Sequence, residues 1–170
     1  MNQTSKTLLE IYNPTMHAEP AWQFVSDQVM GGVSQGQVTF ESNQESPCHC
    51  LSGLVSLENN GGFLQMQLTN LNQLGINFSD YQGVYLEVKG NNRAYNLHIR
   101  TSQLWLPWQS FRVTFDVAEQ WQRLFIPFSQ FSPYKTLVSL QPNKIKRLGI
   151  LAIGEAFQAN ICIRTLGVYK

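Results

Sequence analysis

Between Gly83 and Pro127 the chain repeats one pattern four times. Val84, Leu86 and Val88 alternate with Tyr85, Glu87 and Lys89; Tyr95, Leu97 and Ile99 alternate with Asn96, His98 and Arg100. Phe111, Val113 and Phe115 then alternate with Arg112 and Thr114, and Leu124 and Ile126 with Arg123 and Phe125. Successive side chains of a strand point to opposite faces, so period two gives each segment one apolar face and one mixed face. A helix would scatter the same residues around its circumference. Clean alternation is the mark of antiparallel sheets that bury one side only. Gly90-Asn91-Asn92-Arg93 supplies a turn between the first two segments, and Pro127 stops the last.

The remainder reads the same way. Strands are predicted over Gln35–Ser42, Cys50–Leu57, Phe63–Leu68, Lys146–Ile153 and Gln158–Tyr169, about nine in all with the four above. Asn59-Asn60-Gly61-Gly62 reads as a tight hairpin connection. Asn70–Tyr81 reads as a loop with one helical turn, Asp116–Gln120 as a connection and Ser129–Asn143 as an irregular segment. Many short strands with no helical period predict an all-β antiparallel sandwich. At 170 residues the chain suits one domain over 1–170, with a core from about 22 to 169 and residues 1–20 as an extension.

Composition narrows function. A net charge of +1 with 14% charged residues gives no footprint for nucleic acid, and Lys144, Lys146 and Arg147 read as a solvated strand entrance. No apolar run approaches the ~20 residues of a membrane span, and the first twenty residues lack the hydrophobic stretch of a signal peptide. The expectation is a cytoplasmic protein without membrane insertion. Three cysteines agree, since an odd number suits a reducing compartment. In Cys48-His49-Cys50 the two thiols face one way, about 6.6 Å apart along a strand, and His49 the other. Three metal ligands do not converge from that arrangement, so the expectation is buried thiols beside an exposed His, with no metal and no cofactor.

The most enzyme-like string is Gly32-Val-Ser34-Gln-Gly36, which matches the G-x-S-x-G pattern of serine hydrolases. That pattern works where a strand meets a strained turn and a helix follows. Here Gln37-Val38-Thr39-Phe40-Glu41 alternates as a strand, so Ser34 reads as a loop hydroxyl bonded to nearby backbone. Asp80 and His98 would complete a triad only on paper. The 11 acidic residues show no pair forced together as a glycosidase requires. The chain is expected not to be an enzyme.

Trp22, followed by Val25-Ser-Asp27-Gln-Val-Met30-Gly-Gly-Val-Ser34, resembles the signature of the complex I intermediate-associated protein family, thirty-kilodalton class. Gly61-Gly62-Phe63, Asp80 to Gly90, Tyr95 to Arg100, Trp121 to Phe131 and the last strand ending at Tyr169 match the same family in order. Two turns depart from it, Asn91-Asn92 and Gly154-Glu-Ala-Phe157. The resemblance implies a jelly-roll sandwich similar to galactose-binding domains, in a bacterial single-domain version. It also implies a non-enzymatic assembly factor or chaperone-like protein, whose partners are subunits of a membrane-associated respiratory complex. A carbohydrate-binding module is the alternative, and a Ser34-dependent hydrolase the third reading.

Two candidate surfaces follow from the residues. If the strands from Val84, Tyr95 and Phe111 share a sheet, Tyr85, Glu87, His98, Arg100, Arg112 and Thr114 form one polar face. There an Arg grips a carboxylate and Tyr85 offers a platform for a sugar or peptide; the simpler reading pairs Glu87 with a neighbouring Arg across strands. The second surface is a loop edge made of Asp27, Met30, Trp105 and Trp108. Its alternative puts Asp27 in a turn role and uses the tryptophans to plug one end of the sandwich, with Trp22 and Trp121 as core.

Overall fold

Each alternating segment forms a strand, and together they build two antiparallel sheets that bury their apolar faces against each other. The computed structural model describes residues 5–15, 22–42 and 47–170. In chain order the strands are β1 (Leu8–Tyr12), β2 (Gln23–Ser26), β3 (Gln35–Glu41), β4 (Cys48–Val55), β5 (Phe63–Leu68) and β6 (Gly83–Gly90). They continue with β7 (Arg93–Thr101), β8 (Ser110–Val117), β9 (Gln122–Pro127), β10 (Ser132–Tyr134), β11 (Ile145–Ile153) and β12 (Phe157–Tyr169). Sheet A runs β3-β4-β12-β6-β9 with β1 paired to β12; sheet B runs β10-β8-β7-β11-β5-β2. Leu86, Val88, Ile161, Ile163 and Leu166 from sheet A meet Leu64, Met66, Leu97, Ile99 and Ile150 from sheet B, all fully buried. This is the jelly-roll sandwich expected from the pattern. No helix of the described residues is long and apolar enough to cross a membrane.

Several expectations are corrected. Asn59 to Gly62 is not a hairpin turn: β4 lies in sheet A and β5 in sheet B, joined by a 3-10 turn over Glu58–Asn60. Both strands must present apolar residues to one core from opposite sides, so the chain crosses between layers instead of folding back. Gly90–Arg93 makes the same crossing from β6 to β7. Strands β1 and β2 were not expected. Both lack clean alternation, and they form because β12 and β5 offer unpaired edges: Leu8 pairs with Tyr169, and Gln23 with Gln67. The supposed extension therefore contributes a sheet strand, while residues 16–20 lie outside the described part.

The thiol expectation fails in part. Cys50 on β4 faces Cys162 on β12 in register, and the two form a disulfide 112 residues apart in sequence. Strand pairing decides this, and spacing along the chain does not reveal it. The odd cysteine count therefore does not mark a set of reduced thiols. Cys48 remains a buried thiol. His49 is half-buried, not exposed, with its Nδ1 2.5 Å from the Tyr12 hydroxyl.

Asp27 and two glycines act together at the sheet junction. Asp27 opens a 3-10 turn (Asp27–Met30) between β2 and β3, and its carboxylate is fully buried. Oδ1 accepts the Ser34 amide at 3.0 Å; Oδ2 accepts the Ser34 hydroxyl at 2.5 Å, the Gly62 amide at 2.6 Å and the Phe63 amide at 3.2 Å. The Ser34 oxygen also accepts the Ser56 amide at 2.8 Å, tying in the end of β4. A Cβ on Gly32 would strike the Asp27 carboxyl, and one on Gly61 would stand 2.5 Å from Oδ2. Glycine is required at both places because the acid is there.

Burial opposes ionisation of Asp27, but the bonds from the Ser34 hydroxyl, the Gly62 amide, the Ser34 amide and the Phe63 amide outweigh it. They hold the carboxyl below the usual range. A depressed acid stabilises the fold above its unfolded pKa, and that contribution disappears as pH falls through the folded value. Asp27→Ala strands four donors and is expected to lower the unfolding free energy by about 3 kcal/mol or more. Ser34→Ala, which removes one hydroxyl, should cost about 1–2 kcal/mol. Urea unfolding measures both, and an unchanged midpoint for Asp27→Ala would refute the junction as an anchor.

Candidate binding groove

The outer face of sheet B carries a groove of about 770 Å³. Strand register lays out its floor. Gln67 on β5 stands beside Gly149 on β11, Gly149 beside His98 on β7, and His98 beside Arg112 on β8. Each of these alternates with core residues of its own strand, so the pattern that buries Leu97 and Ile99 turns His98 and Arg100 outward. Met30, Val29 and Leu57 form one apolar end, next to the Asp27 junction, and Trp108 with Tyr134 forms the other.

Three guanidiniums converge on this face: Arg100, Arg112 and Arg147. None forms an ion pair with a carboxylate among the described residues, and no acid lines the groove. Arg100 Nη1 donates to the carbonyls of Leu106, Pro107 and Gln109 at 2.9, 3.1 and 2.7 Å, which holds the loop carrying both tryptophans. Gln109 completes that loop by accepting the amides of Trp105 and Leu106. Arg112 bonds Ser110 Oγ at 2.7 Å and stacks 3.5 Å from the centre of the Tyr134 ring. Burial, then the neighbouring Arg100 charge, pulls the Arg147 guanidinium below its ordinary range.

His98 is the floor residue. It is 8% exposed, and its Nε2 has no hydrogen-bond partner. Burial, then the Arg112 charge, pushes its pKa down to about 3, so the imidazole is neutral at physiological pH. The ring is thus a neutral, buried part of the floor below three cations, and its Nε2 is a polar atom left unpaired.

The predicted polar patch divides. His98, Arg100 and Arg112 share sheet B, with Thr114 on the same face further along β8, but Tyr85 and Glu87 lie on β6 in sheet A, on the opposite side of the molecule. Glu87 is bound by Arg123 across the strand pair and by Arg164 Nε at 2.8 Å, the simpler pairing weighed for it. Tyr85 is buried there against Phe125. The loop-edge group also divides. Asp27 is buried and fully bonded, so it offers nothing to a ligand, whereas Met30 is 63% exposed and lines the groove. Trp105 at 90% and Trp108 at 55% exposure do not plug the sandwich, because Arg100 and Gln109 prop their loop outward. Trp121 packs on the outer face of sheet A rather than in the core. Ser34 is fully buried between Asp27 and Ser56, leaving no exposed nucleophile at the G-x-S-x-G string.

Sequence reasoning missed Arg147, Gln65, Gln67 and Tyr134. The two glutamines were legible as the outward partners of Leu64, Met66 and Leu68. Arg147 alternates outward against Leu148 and Ile150 in the same way, but its grouping with Lys144 and Lys146 as a strand entrance hid it.

Because His98 stays neutral in the fold to about pH 3 while an unfolded histidine protonates near 6.5, the unfolded chain binds more protons between these values. Stability is therefore complete above pH 6.5 and falls as pH drops, by up to about 1.4 kcal/mol per unit. His98→Gln should remove that part of the slope. The depressed pKa of half-buried His49 acts in the same direction but is common to both proteins, so the difference isolates His98. Equal slopes from denaturation at several pH values would contradict the assignment.

Solved structures similar to this one include carbohydrate-binding modules. A family 11 carbohydrate-binding module from a cellulosomal cellulase of Clostridium thermocellum superposes with a TM-score of 0.74 at 10% identity, over 95% of this chain and 94% of that one. The same type of module in complex with a β-1,3-1,4-mixed-linked tetrasaccharide gives 0.71 at 11% identity, over 96% and 94%. A family 30 carbohydrate-binding module gives 0.60 at 13%, over 82% and 92%. At such identities the likeness is one of fold. No curated protein sequence matches the chain. Residues 11–162 do match the family described as complex I intermediate-associated protein 30, including Asp27, Ser34, Gly61 and Gly62 of the junction. The chain belongs to the complex I intermediate-associated protein 30 family.

Proposed function

We propose that this protein is a non-catalytic binding module that takes a carboxylate-bearing segment of a partner protein in the sheet B groove. In that capacity it serves the assembly of a multisubunit, respiratory-type complex. The observation that carries this reading is the unneutralised triad of Arg100, Arg112 and Arg147 above the unpartnered His98 nitrogen. Grouping three cations with no acid costs stability through like-charge repulsion, and a ligand carboxylate relieves it. The apolar end at Val29, Met30 and Leu57 suits a peptide's aliphatic side chains. Family membership supports a partner among complex I subunits.

A second reading has its own support. Trp108 and Tyr134 at one end of the groove, with Gln65 and Gln67 on the floor, are the residue types that hold a sugar ring, and the similar folds include carbohydrate-binding modules.

Tryptophan fluorescence separates the two readings, since Trp108 borders the groove. Peptides rich in Asp and Glu are expected to change the emission at low salt and to weaken as salt rises. Arg147→Glu should reduce their affinity about tenfold or more, the equivalent of about 1.4 kcal/mol, while leaving the melting temperature close to wild type. Respiratory-complex subunits that co-purify with the tagged wild-type protein should be lost from the variant. Salt-insensitive binding of a neutral β-glucan tetrasaccharide, with no response to acidic peptides, would favour the second reading.

A further inference from the structure

The outer face of sheet A, on the other side of the molecule from the groove, gathers Glu41, Cys48, Cys50 and Cys162. Register explains how. Glu41 on β3 stands opposite Cys48 on β4, two residues along β4 is Cys50, and Cys50 stands opposite Cys162 on β12. Strand alternation turns all four to one face. The three sulfurs and a Glu41 carboxylate oxygen lie within 4.8 Å of one another. The cysteines are 0%, 2% and 6% exposed, beneath Trp121. Lys89 and Arg164 stack on the Trp121 ring at 5.3 and 4.6 Å, bringing two positive charges to the edge of the cluster.

We propose that Cys48, Cys50 and Cys162, with Glu41 as fourth ligand, form a binding site for a zinc-type divalent cation, open when the Cys50–Cys162 disulfide is reduced and closed when it is formed. The donors are three thiolates and one carboxylate, a set suited to four-coordinate zinc. Zinc–sulfur bonds of about 2.3 Å place two thiolates of a tetrahedral site about 3.8 Å apart. Cys48 and Cys50 already hold their sulfurs 3.7 Å apart. The carboxylate oxygen favours zinc over a softer monovalent ion. Three thiolates and one carboxylate around a divalent ion leave a charge of minus two, which Lys89 and Arg164 offset.

The chemistry balances with a thiol or phosphine reductant. Two electrons and two protons convert the Cys50–Cys162 bond into two thiols; a phosphine takes the oxygen of one water and becomes its oxide. The cation then displaces the protons of the three thiols. Reoxidation by a small-molecule disulfide re-forms the Cys50–Cys162 bond; the oxidant takes the two electrons and two protons and leaves as two thiols, so the site loses two ligands and releases the ion. The site does not depend on what occupies the groove, so its failure and that of the proposed function are separate results.

Cobalt(II) is the probe, added to the full chain with and without prior phosphine reduction. The reduced chain is expected to take up one ion. It should show a thiolate-to-metal charge-transfer band and the intense visible bands of tetrahedral cobalt, both bleached by zinc. The oxidised chain should show neither. Cys48→Ser, which leaves the disulfide pair intact, should weaken uptake about 100-fold or more, and Glu41→Gln about tenfold with the charge-transfer band retained. A reduced chain that is folded by circular dichroism and gives no band overturns the proposal, as does equal uptake by Cys48→Ser. Should reduction alone unfold the chain, refolding on cobalt addition with the same band sustains the site, and cobalt that restores neither overturns it.

Discussion

The buried carboxylate of Asp27 is the interaction on which the rest of the structure depends. Taking an ion out of water costs several kcal/mol. The bonds that Asp27 accepts from Ser34, Gly62 and Phe63 are charge-assisted, each worth about 1.5–3 kcal/mol, enough to offset that cost. What they fix is topology. The acid stands at the end of β2, Ser34 precedes β3, the Ser56 amide follows β4, and Gly62 and Phe63 begin β5. One side chain thus joins the segments where the chain passes between the layers, and it also positions one end of the groove. Of the residues that line that end, Gly62 has its amide bonded by Asp27, and Met30, Leu57 and Gly61 lie within a few residues of the backbone that the junction holds.

The two outer sheet faces solve the same problem in opposite ways. On sheet A, Glu87 sits between Arg123 and Arg164, and each of the two cations has a carboxylate partner. On sheet B, no acid among the described residues answers Arg100, Arg112 or Arg147. Instead Arg112 lies on the Tyr134 ring and Arg100 is drawn against loop carbonyls, contacts that orient a guanidinium without cancelling its charge. Burial first, and the neighbouring cation second, depress the pKa values of Arg147 and His98. Natural folds tolerate such local cost chiefly where binding relieves it.

Period two made the sheets and most strand positions legible, because side-chain alternation is a local property. Which strands are neighbours is not local. Val84–Val88 and Tyr95–Ile99 look like successive arms of one hairpin, and the layers they enter are set by how β12 and β11 pair with them. That single ambiguity separated Tyr85 and Glu87 from His98, Arg100 and Arg112, and hid the Cys50–Cys162 pair. The Asp27 to Ser34 string was visible as unusual, since neither helix nor strand calls for an acid before Gly-Gly. Its purpose needed Gly61 and Gly62, the second of which donates its amide to Asp27 from 35 residues further on.

Arg100 couples the groove to the tryptophan loop. Its Nη1 is committed to three carbonyls between Leu106 and Gln109, so the loop stands where that guanidinium stands. Removing Arg100 would take one positive charge from the groove and release Trp108 from its edge, so lost binding in an Arg100 variant cannot be divided between charge and shape. Arg147 carries no such second duty. It sits beside Arg100 on the neighbouring strand, paired in register, and adds charge without holding backbone. In the binding role proposed for the groove, Arg147 and Arg112 supply charge to an anionic ligand, while Arg100 keeps the aromatic wall in place.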